Sequence, residues 1–169
     1  MIVVCPLSKI GETADRIEAE RIITLIAPGT PVVRPARIAA ENHLLLEFHD
    51  IWEPRDDLVL PTADHLQQAL GFARSWDRAK PMIVHCFAGV SRSTATAYAI
   101  AAALAPRRDE RELALALRSA SPTATPNPLM ISLADEILGR EGRMSRAIAE
   151  IGRGAETAEC VPFALAVDR

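Results

Sequence analysis

Short runs rich in Ile, Val and Leu punctuate the chain at residues 1–5, 21–27, 43–49 and 81–86, each bounded by polar or turn-forming residues. Runs of this length and composition read as buried strands. Ahead of the fourth run, Leu66, Ala69, Leu70, Ala73 and Trp76 recur at helical spacing behind Pro61 and Thr62, which predicts an amphipathic helix. The stretch ATAYAIAAALA after Ser91 is apolar on every side, so it reads as a buried central helix, and it is too short to span a bilayer. Asp109, with Glu112 three residues on, starts another helix, in which Leu113 and Leu117 share a face until Ser121 and Pro122 end it. Asn127 and Pro128 suit a further helix start, with Leu129, Leu133 and Ile137 on the buried side and Gly139 or Gly142 closing it. A short helix is expected over residues 143–151. From Gly152 onward there is no firm periodicity, although VPFALAV suits an extended segment lying along the body.

Strands separated by helices predict an α/β fold with a central, mostly parallel sheet of four to five strands flanked by helices. The chain of 169 residues suits one core, expected over residues 1–152, with residues 153–169 as a C-terminal tail packed on it or partly flexible. At 49% hydrophobic and 24% charged residues, neither a disordered chain nor a membrane protein is indicated. The formal net charge of −3 comes from interleaved acidic and basic residues, so no nucleic-acid groove and no anionic membrane surface is expected as a partner. The segment MIVVCPLSKI has no basic residue ahead of its apolar ones and no clear small-residue cleavage site, which points to the cytoplasm.

The chemistry concentrates in PMIVHCFAGVSRS, residues 81–93. An apolar strand ends in Cys86, five residues intervene, and Arg92 and Ser93 open the next helix. The first amides of a helix lack internal partners and sit at the positive end of its dipole, so such a junction cradles an anion. Gly89 can take positive φ, which lets successive amides turn toward one point. Arg92 supplies a planar, permanently charged fork for two phosphoryl oxygens, a geometry that lysine does not reproduce. A thiolate approaching a phosphate dianion is repelled by about 8 kcal/mol at about 4 Å and an effective dielectric near 20, and one guanidinium at similar range offsets about that much. Phe87, Ala88, Gly89, Val90, Ser91 and Arg92 are therefore the expected phosphate-binding residues, with Cys86 as nucleophile. Ser93 is placed to donate its hydroxyl to the Cys86 sulfur, and His85 to orient the loop backbone.

This loop resembles, residue for residue, the HCxAGxSRS signature of the cysteine-dependent protein tyrosine phosphatases, above all compact dual-specificity-like bacterial members. The match is close at Cys86, Ala88, Gly89, Ser91, Arg92 and Ser93, and the order of elements fits more loosely over residues 20–150. The resemblance implies a metal-free and cofactor-free phosphoric monoester hydrolase in which Cys86 attacks phosphorus, an aspartic acid protonates the leaving oxygen, and water cleaves the cysteinyl phosphate. It also implies phosphotyrosine as substrate, with dual specificity open, carried on a phosphorylated protein or a small aryl phosphate. Relatives acting on inositol phosphates often place lysines at the variable loop positions, which here are uncharged.

The acid is to be found in FHDIWEPRDD. Asp50 stands just past the third apolar run, where parallel sheets place functional residues, and is the expected acid, while the absence of a WPD tripeptide leaves Asp56 and Asp57 as alternatives. Trp52 suits either the pocket rim or the core. His43, His49 and His65 read as strand-end or helix-surface residues rather than ligands, and no histidine or cysteine grouping has zinc-ligand spacing. Of three cysteines, Cys5 reads as a structural core residue, and Cys5 or Cys160 is a conceivable redox partner of Cys86. Two other readings stay open: a phosphate-reading module without turnover, and a rhodanese-like or arsenate reductase-like cysteine enzyme.

Overall fold

A computed structural model describes residues 1–167. Among these, five strands form one sheet: β1 (Ile2–Pro6), β2 (Arg21–Ile26), β3 (His43–Glu47), β4 (Met82–Cys86) and β5 (Phe163–Leu165), in the order β3-β2-β4-β1-β5. The first four run parallel and β5 joins antiparallel to β1. The four apolar runs thus become the four parallel strands, and VPFALAV supplies the antiparallel edge. The fold class is α/β, as the alternation of strand and helix predicts.

Six helices flank the sheet: α1 (Ile10–Arg16), α2 (Ala63–Arg74), α3 (Arg92–Leu104), α4 (Glu110–Ala120), α5 (Pro128–Ile137) and α6 (Arg143–Ile151). Thr62 caps α2 in a reciprocal box with His65, Asp109 caps α4 through the amides of Arg111 and Glu112, and Asn127 caps α5 through the amide of Met130. The sheet has unequal faces. Ile23, Leu25, Val4 and Val84 join the main core beneath α2 and α3, while Ile22, Ile83 and Cys5 join a smaller cluster closed by Ile10 and Ala14 of α1.

Two sequence expectations change. Helix α1 was not foreseen, because IGETADR is short, polar and begins beside a glycine. In α5 the fully buried stripe is Met130, Ile131 and Ala134, whereas Leu129, Leu133 and Ile137 are half-buried. Asp135, buried on the same helix, caps the start of α6 through the amides of Gly142 at 2.6 Å, Met144 at 2.7 Å and Ser145 at 3.2 Å. Leu129, Met130, Ile131, Leu133 and Ala134 are all apolar, so the sequence pattern alone does not single out which of them face the core.

Candidate active site

Strand β4 carries Cys86 to the carboxyl edge of the sheet, and α3 starts six residues later at Arg92. Between them the chain loops with most of its carbonyls bound to neighbouring segments. Phe87 O accepts from Leu7 N at 3.0 Å, Ala88 O from Cys160 N at 2.9 Å, and Val90 O from Thr125 N at 2.9 Å. Thr94 Oγ1 donates to the carbonyls of Val90 and Ser91 as well. Among the described residues, no loop hydrogen bond starts from the amides of residues 87–91. The carbonyls of Phe87, Ala88, Val90 and Ser91 are thus held by the surrounding chain, and the loop amides are the backbone groups left over.

Gly89 makes this path possible. Its φ is +72°, and a Cβ there would collide with the Cys160 sulfur and lie 3.0 Å from both the Cys5 carbonyl carbon and the Pro6 nitrogen. Both the backbone angle and the close packing exclude a side chain.

Cys86 Sγ lies 3.1 Å from Ser93 Oγ, so the thiol and the hydroxyl meet as the spacing predicts. Arg92 is only 6% exposed, and no ion pair among the described residues involves it. Its Nη1 donates to Phe48 O at 2.8 Å, while its Nε is buried without a partner. A buried cation with an unsatisfied donor is costly unless an anion completes it.

The carboxylate of Asp50 reaches this loop. Ser91 Oγ donates to Asp50 Oδ1 at 2.7 Å and Asn127 Nδ2 donates to the same oxygen at 2.9 Å. Asn127 also donates to Ile51 O at 3.1 Å and accepts from Met130 N, so one side chain starts α5 and fixes the acidic loop. Asp56 and Asp57 are exposed, and neither has a hydrogen bond to the loop among the described residues. Asn127 is the site residue that sequence reasoning missed. Ahead of a proline it reads only as a helix cap, and the second role depends on a contact 77 residues distant along the chain.

His85 is fully buried, and burial pushes its pKa down to about 4, so the imidazole is neutral at physiological pH. Its Nδ1 lies 3.4 Å from the Cys86 carbonyl and its Nε2 2.7 Å from Thr24 Oγ1. Cys5 and Cys160 are also buried, and desolvation pushes their pKa values up to about 12 and about 11, which keeps both as thiols. Phe87 is exposed, Ala88 and Val90 half-buried. A groove of about 1040 Å³ starts at Asp50, Val90 and Ser91 and runs between Trp52, Pro128, Ile148 and Arg153. Trp52 is 55% exposed, which places it at the rim and not in the core.

Comparison with known proteins places this arrangement on a known scaffold. No family model and no curated protein matches the sequence. Solved structures do match. DUSP15 superposes with a TM-score of 0.61 at 20% identity, covering 92% of this chain and 94% of that one. The human tyrosine phosphatase-like serine/threonine/tyrosine-interacting protein gives 0.64 at 15% identity, over 83% and 92%. PTPMT1 in complex with PI(5)P gives 0.61 at 15% identity, over 83% and 91%. The chain has the fold of the dual-specificity and protein tyrosine phosphatases.

Proposed function

We propose that this chain hydrolyses phosphate monoesters, phosphotyrosine and related aryl phosphates first among them, through a phosphate ester on Cys86. The observation that carries the reading is Arg92: among the described residues its buried guanidinium has no counter-ion and its Nε no partner, and it stands at the end of a loop whose free groups are amides. Such a site lacks two or three negative oxygens, which a phosphoryl group supplies.

Each neighbour then has a task. The Cys86 sulfur attacks phosphorus as the phosphorus–oxygen ester bond breaks, and the loop amides of Phe87, Ala88, Gly89, Val90 and Ser91 with Arg92 hold the equatorial oxygens of the transition state. Asp50 passes a proton to the departing oxygen. Both of its hydrogen-bond donors meet Oδ1, so Oδ2 is the oxygen free to carry that proton. Water then attacks the cysteinyl phosphate, Asp50 takes the water's proton, and Ser93 Oγ stabilises the sulfur as it leaves. The groove receives the rest of the substrate, and the exposed Trp52 ring and the proline wall suit a flat leaving group. Uncharged residues at the variable loop positions favour a phosphorylated protein or aryl ester over a polyphosphorylated sugar.

Turnover of p-nitrophenyl phosphate and of a phosphotyrosine peptide by the unmodified protein tests this. Cys86→Ser abolishes it and Asp50→Ala lowers kcat by roughly 100-fold or more while flattening the basic limb of the pH profile. Failure of the wild type to turn over either substrate, with the peptide still binding, would support the phosphate-reading module instead. An Asp50→Ala variant at full rate would move the acid to Asp56 or Asp57.

A further inference from the structure

Three polar side chains cross the sheet beneath the nucleophile on the face covered by α1. Thr24 of β2 lies directly beside His85 of β4 in register, and His43 of β3 is diagonal to Thr24 on the same face, since Ile22 is the residue paired with it. Thr24 Oγ1 stands 2.7 Å from His85 Nε2 and 2.8 Å from His43 Nε2. Thr24 and His85 are fully buried and His43 is half-buried at the sheet edge. Hydrophobic strands have no packing need for two imidazoles and a hydroxyl in one line, and a buried polar chain is costly unless every member is satisfied.

The proton order along this chain has one solution. The Cys86 carbonyl can only accept, so the His85 nitrogen facing it, Nδ1, must carry the proton. A neutral imidazole then presents a bare Nε2, and Thr24 must donate to it. Thr24 has a single hydrogen, so it can only accept from His43, whose proton must sit on Nε2. The reverse order would set the Nδ1 lone pair against the carbonyl oxygen.

We infer that Thr24 and His43 are positioning residues: they fix the tautomer of His85 so that its Nδ1–H is held toward the Cys86 carbonyl, which orients the Cys86 peptide and draws negative charge off the thiolate. The inference rests on Cys86 being the nucleophile of the proposed hydrolysis. The 3.4 Å separation at the last link is long, so this contact depends on the ring being held from its far side, which is what Thr24 does.

Long-range ¹H–¹⁵N correlation spectra of the full chain at neutral pH read the tautomers directly and need no turnover. The expected result is His85 protonated on Nδ1 and His43 on Nε2, and a His85 proton on Nε2 overturns the inference. Alkylation of Cys86 by iodoacetate, located by peptide mass mapping, is the second readout. Thr24→Val, nearly isosteric, is expected to slow it about three- to tenfold, the effect of one buried hydrogen bond, with Thr24→Ser restoring the rate. His43→Phe, at the half-exposed edge, is expected to move it in the same direction and by less. If Thr24→Val and His43→Phe both lower the melting temperature and alkylate at the wild-type rate, the chain only supports the sheet and the positioning role is wrong. Because neither readout involves phosphate, a chain that proves unable to hydrolyse esters leaves this test standing.

Discussion

Position 89 is constrained from three sides at once, by its own positive φ, by the Cys160 sulfur and by the backbone of Cys5 and Pro6. The sequence shows the glycine in its loop, but only the packing shows why nothing larger fits. His85 is another residue whose neighbours set its behaviour. Its folded pKa of about 4 lies below the ordinary histidine value, because burial disfavours the charged ring. The unfolded chain therefore binds the proton first as pH falls, so the stabilising effect is complete above about pH 6.5 and is lost as pH drops toward 4. Urea unfolding should show the wild type losing about 2 kcal/mol more than His85→Gln between about pH 7 and pH 5, the difference isolating this group from the carboxylates. Equal losses would mean that His85 is protonated, or free to become so, in the folded protein.

At the scale of elements, helix starts hold the site in place. Asn127 caps α5 and grips Asp50, and Asp135 caps α6, whose C-terminal end helps wall the groove. Asp135→Ala removes an acceptor from three amides and is expected to cost roughly 2 to 3 kcal/mol of stability, read as a fall in melting temperature, with kcat on aryl phosphates affected less than KM. An unchanged melting temperature would contradict the capping role. Elements with strong periodicity were legible in the sequence: the four apolar strands, and α2 and α4 with their capping residues. Helix α1 was not, because its apolar positions are too few to give a period. The buried face of α5 was misplaced because Leu129, Met130, Ile131, Leu133 and Ala134 are apolar on adjacent faces, so no single stripe stands out. Within the site, contiguity decided what could be read. Cys86, Gly89, Arg92 and Ser93 sit within eight positions, whereas the pairing of Thr24 with His43 and His85 exists only once the strands are in register.

For the molecule as a whole, the C-terminal segment is tied to the loop. Cys160 N donates to Ala88 O, Gly154 N to Thr125 Oγ1, and β5 buries Phe163 and Leu165 against the core. No helix is long and apolar enough to cross a membrane among the described residues. Ending the chain at Gly152 removes the buried side chains of Phe163 and Leu165, each worth about 1.5 to 3 kcal/mol, and frees the Ala88 carbonyl of the loop after β4. Such a truncation should lower the melting temperature and abolish turnover together. A truncated chain that keeps both would make residues 153–169 a dispensable tail.

The account depends on sulfur acting as the nucleophile toward phosphorus. Rapid-quench mass spectrometry of the protein mixed with excess aryl phosphate tests that step directly. One phosphoryl group is expected to appear on the peptide carrying Cys86 and to decay as free phosphate forms, and to be absent in Cys86→Ser. Phosphate released at the wild-type rate with no phosphoryl group ever on that peptide would contradict it.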